Sequence, residues 1–321
     1  MPLVSVVMPV YRTEKFVAAA VRSVLAQSFE DFELIVVNDG TDDNSMAIVA
    51  GFQDDRIRVV EQPNAGLSAA RNTGILASRG EFVALLDSDD VWDPRKLEVH
   101  VHHLTRRPQV GVSYSGSRFI NESGQPTGLV QAPQLEGVTP EVLFSRNPIG
   151  NGSAPVIRRM ALFDAAIEVD GALQFFRESL RQSEDVECWL RIALSSRWQF
   201  EGVQGLLTLY RLHGFSLSAN IRRQYQAWLE GVEFNAQLNP DFVNRNFSRA
   251  AAFQCRYLAR RAVGSDDQKT AFEFLLKAFK HNTRAMIGDV ARTTATLLAA
   301  VAIGFVSYSS LERAADAIRL R

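Results

Sequence analysis

An α/β fold with a mostly parallel sheet flanked by helices, followed by an α-helical appendage, is the architecture this sequence predicts. Three observations predict it. The apolar runs up to Leu86 are solid rather than alternating, helical patterns separate them, and from about Ile221 the chain becomes helical throughout. Strands that are apolar on both faces and alternate with helices indicate a parallel sheet covered on both sides.

Each element follows from local pattern. Leu3 to Val10 is a β-branched run, and Thr13 precedes a helix in which Phe16, Val17, Ala20, Val21, Val24 and Leu25 share one face. Phe32 to Val37 makes a second strand, stopped by "NDGTDDNS", after which Met46, Ile48 and Val49 begin a helix. Ile57 to Val60 predicts a third strand, "NAGLSAARNTGILAS" a loop and helix, and Glu81 to Leu86 a fourth strand. Between Gln109 and Ser218 the pattern predicts short strands, Gly111 to Ser115 and Leu206 to Arg211, and a helix from Glu184 to Ser196. These are expected to close the far side of a crevice at the strand ends. Beyond Ile221, Ser265 with Gln268 reads as a capping box, ahead of an apolar stripe of Phe272, Leu275, Leu276 and Phe279. The chain therefore divides at about residue 220, into 1–220 and a helical region 221–321, and the first part into halves of about 1–115 and 116–220.

Composition narrows the function classes. The 321 residues carry 35 Lys and Arg against 36 Asp and Glu, a net charge of −1, so nothing global points to nucleic acid. Two cysteines, Cys188 and Cys255, cannot form a disulfide framework and fit a reducing compartment. The start "MPLVSVVMPVYR" lacks the features of a secretion signal, which implies a cytoplasmic protein. One uncharged segment, Thr293 to Leu311, is diluted by Thr, Ser and Gly and reads as a buried C-terminal helix; peripheral contact with the inner face of the plasma membrane is the alternative.

In a parallel sheet, ligands bind outside the carboxyl ends of the strands. Tyr11, Asn38-Asp39-Gly40, Asn64-Ala65-Gly66 and Asp87-Ser88-Asp89-Asp90 follow the four strands in turn, so all converge on that edge. Carboxylates crowded as Asp87, Asp89 and Asp90 are repel one another, and a hard divalent cation, Mg²⁺ or Mn²⁺, relieves that repulsion. A solvated acidic turn capping the next helix is the plainer alternative. Asp39 is placed to accept from a nucleobase or ribose, or simply forms an Asp-Gly turn. Arg71 faces the crevice as a phosphate partner, or is a surface arginine. Glu184 and Asp185 occupy the first turn of a helix with Ser183 as N-cap and Val186, Trp189, Leu190, Ala193 and Leu194 as its buried stripe. The helix dipole favours both acids there, and it would also hold Asp185 rigid and ionised as a base. His213 lies just beyond an apolar strand, as a surface histidine or as a ligand to Mn²⁺. Neither GxGxxG after the first strand nor GxxxxGK[ST] occurs.

Taken in order, "VSVVMPVYRTE", "FELIVVNDGTDD", "NAGLSAARNTG", "FVALLDSDD", "SEDVECWLR" and "YRLHGFSLS" resemble the family 2 inverting glycosyltransferases of GT-A fold, over roughly residues 3–218. The resemblance implies a Rossmann-like GT-A domain at 1–220, with a nucleotide-sugar half and an acceptor half. It implies that Pro9 and Tyr11 line the nucleobase site, that Asp39 bonds the base and that Arg71 lies near the nucleotide. By the same resemblance Asp87 and Asp89 form the DxD motif, Asp87 toward ribose and sugar and Asp89 on the metal, with Asp90 an additional acid. Asp185 would be the catalytic base, Glu184 its neighbour at the acceptor, and His213 a group near the metal or diphosphate. The implied donor is a nucleotide-diphospho-sugar, a UDP-sugar foremost. The implied acceptor is a saccharide or lipid-linked saccharide of surface polysaccharide, lipopolysaccharide or glycolipid synthesis. The QxxRW motif of processive synthases is absent, which implies transfer of a single sugar. Two rivals differ in visible ways. A sugar-nucleotide nucleotidyltransferase begins with a Gly-rich loop where this chain has "PVYRTEKF", and a non-catalytic nucleotide-sugar binding module would lack Asp185 or Asp89.

Overall fold

Solid apolar runs become the centre of the sheet. The computed structural model describes residues 1–213 and 220–306, and the chain divides into two units, Met1–Leu143 with Asn147–Leu217, and Phe144–Arg146 with Ser218–Arg321. The first unit begins β1 (Val4–Val10), α1 (Val17–Leu25), β2 (Phe32–Asp39), α2 (Ser45–Ala50), β3 (Ile57–Gln62), α3 (Leu67–Ala77) and β4 (Phe82–Leu85). β1 pairs in parallel with β2 and β4, and β2 in parallel with β3. The resulting order β3-β2-β1-β4 reverses direction between β1 and β4. A crevice opens at such a reversal, outside the carboxyl ends of the strands. Val6, Met8, Leu34, Val36 and Ala84 are fully buried on the face that packs with Val17, Val21 and Val24 of α1, and Val7, Ile35, Val37 and Val83 of the opposite face are fully buried too, which is why these runs do not alternate.

The sheet continues past β4. After β5 (Val91–Trp92) and α4 (Lys96–Arg106) come β6 (Val110–Ile120), β7 (Pro126–Gln131), α5 (Pro140–Ser145), β8 (Val156–Arg158), α6 (Arg159–Asp164), β9 (Ile167–Val169), β10 (Ala172–Gln174), α7 (Glu184–Ser195) and β11 (Gln199–Arg211). β8 pairs antiparallel with both β4 and β6, and β6 runs parallel with β11. The second half therefore continues the sheet of the first and does not form a separate one. Its strands are long, 11 and 13 residues in β6 and β11, and they extend the same sheet. Two antiparallel steps return β6 and β11 to the direction of β4, so the end of β11 reaches the edge where β4 ends.

The second unit is built of α8 (Ile221–Leu238), α9 (Pro240–Gly264), α10 (Gln268–Gly288) and α11 (Val290–Ala302) around Phe253, Leu258, Val263, Phe274, Leu275 and Met286. Asn220, Asn239 and Asp267 cap the first three, each accepting a backbone N–H in the first turn. Two expectations are corrected here. Asp267, not Ser265, caps α10, while the Ser265 hydroxyl donates back to the last carbonyls of α9. In the stripe of α10, Phe274 and Leu275 are buried and Leu276 is exposed. α11 ends at Ala302, and no helix among the described residues is long and apolar enough to cross a membrane. The rest of the uncharged segment, 307–311, lies outside the described residues.

Candidate active site

β4 ends at Leu85 and the chain turns at once, with the Asp90 N–H donating to the Asp87 carbonyl at 3.0 Å. The turn sends its three carboxylates to three different partners. Asp87 meets Arg71, whose Nη2 donates to Asp87 Oδ1 at 2.7 Å and whose Nη1 donates to Glu184 Oε1 at 2.8 Å. Arg71 is 1% exposed and lies over the Phe176 ring. One guanidinium from α3 thus ties the end of β4 to the first turn of α7. Gly152 makes room for it, because a Cβ there would run into the guanidinium and Asp87. Burial pushes the Asp87 carboxyl up, Arg71 pulls it down, and the charge on Asp89 raises it again.

Asp89 faces the end of β11. His213 Nε2 and Asp89 Oδ2 are 2.7 Å apart, and Arg211 Nε donates to the Asp89 carbonyl at 2.7 Å. The hydrogen bond to Asp89 raises the imidazole's pKa. Asp90 is buried and accepts from Ser153 Oγ at 2.6 Å and from the Arg211 N–H at 2.8 Å. Ser153 Oγ in turn accepts from the Asp87 N–H at 3.0 Å. Asp90 is therefore a pin joining the turn to the loop before β8 and to β11. Behind it Lys96 is wholly buried, its ammonium donating to the Ala154 carbonyl at 2.7 Å and to Thr208 Oγ1 at 3.2 Å. Burial lowers its pKa to about 7, against the pull of Asp90.

Glu184 and Asp185 open α7 as expected, but Ser183 forms no side-chain cap and sits at φ 59°, in the left-handed region. The buried face of α7 also differs: Glu187, Cys188, Arg191 and Ile192 are buried with Trp189 and Leu190, while Val186, Ala193 and Leu194 are only half-buried. A Glu187–Arg191 ion pair at 2.8 Å lets the helix bury charge on a face that periodicity reads as polar. Asp185 Oδ1 accepts from the Val186 N–H at 2.8 Å, and Asn147 Nδ2 lies 3.3 Å from Asp185 Oδ2. Burial first, and then the charge on Glu184, raise the Asp185 carboxyl to about 7, against the pull of Arg71.

The remaining expected residues also lie at strand ends. Pro9 is buried within β1, and Tyr11 follows it with an exposed ring beneath the Arg12 guanidinium. Asp39 is buried at the end of β2, where its carboxylate accepts from Gln62 Nε2 at 2.7 Å and from the N–H groups of Ala65 and Gly66, each at 2.9 Å. It organises the 62–66 loop. Arg71, Asp87 and Glu184 form one ion-paired group whose charges act on the neighbouring Asp185, and Asp89 with His213 forms another; Tyr11 and Asp39 belong to neither. Sequence reasoning misses Asn147, Ser153 and Arg211 as site residues. Asn147 and Ser153 stand in "NPIGNGS", whose Asn-Pro and Asn-Gly pairs are a turn signal. Arg211 stands within "YRLHGFSLS", where His213 draws the attention.

As a metal site the donors are an oxygen of Asp89 and a nitrogen of His213; among the described residues no three His, Cys, Asp or Glu side chains form a closed cage. Two donors fit a divalent cation that completes its shell with substrate phosphate oxygens and water. Residues 5–163 match the model of the family "Glycosyl transferase family 2". Over 236 residues the chain is 30% identical to UDP-Glc:alpha-D-GlcNAc-diphosphoundecaprenol beta-1,3-glucosyltransferase WfgD of Escherichia coli, covering 72% of this chain and 87% of that one.

The chain belongs to glycosyltransferase family 2.

The fold agrees. S. aureus TarS 1-349 in complex with UDP-GlcNAc superimposes with a TM-score of 0.59 at 17% identity, covering 88% of this chain and 92% of that one. Mannosyltransferase PcManGT from Pyrobaculum calidifontis, in complex with GDP-Man and Mn²⁺, gives 0.56 at 18% identity, covering 95% and 87%. This glycosyltransferase family member also matches uncharacterized glycosyltransferases of Rickettsia bellii and Rickettsia felis, but it spans only 29% and 34% of their length.

Proposed function

We propose that the chain transfers a single sugar from a nucleotide-diphospho-sugar, a UDP-sugar foremost, to a hydroxyl of a saccharide or lipid-linked saccharide, with inversion at the anomeric carbon. The supporting observation is the raised carboxyl of Asp185 at the start of α7, linked through Glu184 and Arg71 to Asp87 at the end of β4. A carboxyl near 7 is basic enough to take a hydroxyl proton and is about half ionised at neutral pH. Asp185 takes that proton as the acceptor oxygen attacks, on the face opposite the leaving diphosphate, and the configuration inverts. Tyr11 offers an exposed ring for the base, and Asp87 is poised at the sugar and ribose. Asp89 and His213 would hold Mn²⁺ or Mg²⁺, which as a Lewis acid would stabilise the charge on the leaving diphosphate.

The named relatives and structures support the substrate class. The Escherichia coli relative is named for a UDP-Glc donor and a diphosphoundecaprenol-linked acceptor, and the TarS and PcManGT complexes hold UDP-GlcNAc and GDP-Man. We infer a role in surface polysaccharide or glycolipid synthesis on the cytoplasmic side, for which the free, buried thiols of Cys188 and Cys255 are suited. Residues 1–220 would form the transferase and 221–321 an accessory region. The test is nucleotide release from UDP-, GDP- and dTDP-sugars with Mn²⁺. Release of one nucleotide, lost on chelation, is expected; no release from any donor would instead fit a non-catalytic binding module.

A further inference from the structure

α11 has two unlike faces. Thr293, Thr296 and Ala300 turn inward, while Val290, Thr294, Leu297, Leu298 and Val301 are exposed, and Phe305 continues the exposed apolar surface beyond the helix. A helix of a soluble unit normally turns its apolar stripe to the core, so a contiguous exposed one marks an interaction surface.

Beside the first turn of this helix lies a surplus of arginine. Arg146, Arg256 and Arg292 all pair with Asp289, at 3.1, 2.8 and 3.6 Å. Arg146, Arg249 and Arg256 also stack around one ring, Phe253, at 5.1, 5.7 and 5.0 Å. Arg256 is 4% exposed, whereas Arg146, Arg249, Arg260 and Arg292 reach solvent. Burial and then the charge on Arg292 lower the Arg146 pKa, and burial and then the charge on Arg256 lower that of Arg260. Among the described residues these five guanidiniums thus lie about one carboxylate, Asp289, which pairs with three of them, and further anions would relieve their mutual repulsion.

We propose that this part of the helical unit docks on an anionic lipid bilayer, with the outer face of α11 entering the interface and the arginines meeting lipid phosphates. A free phosphate would answer the arginines but leave the aliphatic face in water; a neutral apolar partner would do the reverse. An anionic bilayer surface answers both at once. α11 lies in the plane of that surface, since it is too short to span it.

The proposal is independent of the transfer reaction, because binding is read without donor or acceptor. The full chain is floated with vesicles of phosphatidylcholine alone and of phosphatidylcholine with about one-third phosphatidylglycerol. Binding to the anionic vesicles and not to the neutral ones is expected, weakening as salt rises. Arg249→Glu and Arg292→Glu should each weaken it about fivefold or more. Leu298→Glu should weaken it at every salt concentration, and Arg22→Glu on α1 should leave it unchanged. Circular dichroism and melting of each variant establish that it is folded. Equal binding to both vesicles, or to neither, overturns the proposal. So does an anionic binding that Arg249→Glu and Arg292→Glu leave intact. If inorganic pyrophosphate binds and protects the arginines while no vesicle floats the protein, the cluster is a site for a soluble anion and the bilayer is ruled out.

Discussion

The strand-end site and the helical unit solve opposite charge problems. At the strand ends one buried cation, Arg71, pairs with Asp87 and Glu184 while Asp185 stands nearby, and the acids are left in excess. In the helical unit one carboxylate, Asp289, pairs with three arginines, and the cations are left in excess. Among the described residues the ion pairs of each group leave charge of one sign in excess. A folded chain tolerates such an imbalance at a cost in stability, so the sign of the excess is a guide to the sign of what binds. On the proposed reading the acidic group would serve the sugar and the attacking hydroxyl, and the basic group would meet phosphates.

The comparison breaks most visibly at Asp185. Asp185→Asn keeps the shape and the Val186 contact but cannot take a proton, so turnover should fall by about 10²–10⁴-fold while donor binding, measured by calorimetry, persists. Near-normal turnover would remove the base from the acidic group. Asp89→Ala should abolish the metal-stimulated part of the activity. Arg71→Met comes next. It leaves two buried carboxylates without their cation, and loss of one partner from a buried pair costs about 3–5 kcal/mol. Urea melts should show that loss at neutral pH and less of it in acid, where the raised Asp87 carboxyl takes a proton. An unchanged midpoint would mean that Arg71 does not hold the group together.

Asp289→Asn is the corresponding test of the basic group, and its effect is smaller because Asp289 remains partly solvated. A loss of about 1–3 kcal/mol is expected. The sign is fixed by linkage. Burial raises the Asp289 carboxyl, but Arg256 and the other arginines outweigh it, so its folded pKa lies below the unfolded one. Its contribution is complete above the unfolded value and fades as pH falls through the folded one, so wild type and variant should converge in acid.

The first four strands and the acids at their ends are legible in the sequence because solid apolar runs and abrupt acidic stops are local signals. β6 and β11 are read too short, because their outer residues alternate or bulge, as between Gly202 and Leu206, and the apolar run breaks there. The two-sided burial of α7 is not legible, since Glu187 and Arg191 read as solvent-facing until each is seen to be the other's partner. The roles of Asn147, Ser153 and Arg211 depend on contacts 38, 63 and 121 residues away along the chain. No spacing rule spans such separations. What the sequence does supply is the list of acids; which of them share a cation is a property of the fold.

The finest test of the comparison is the acid limb of the pH–rate profile. With Asp185 raised to about 7, kcat/KM should climb tenfold per pH unit below that point and level off above it. Glu184→Gln removes the neighbouring charge that helps hold Asp185 up, and it also frees one arm of Arg71, whose cation favours the ionised base. Both changes act in the same direction, so the inflection should move toward acid with the slope unchanged. Movement toward base would mean that the Glu184–Arg71 pair orients the cation onto Asp185, and that the acids of this group cooperate through Arg71 instead of repelling one another directly.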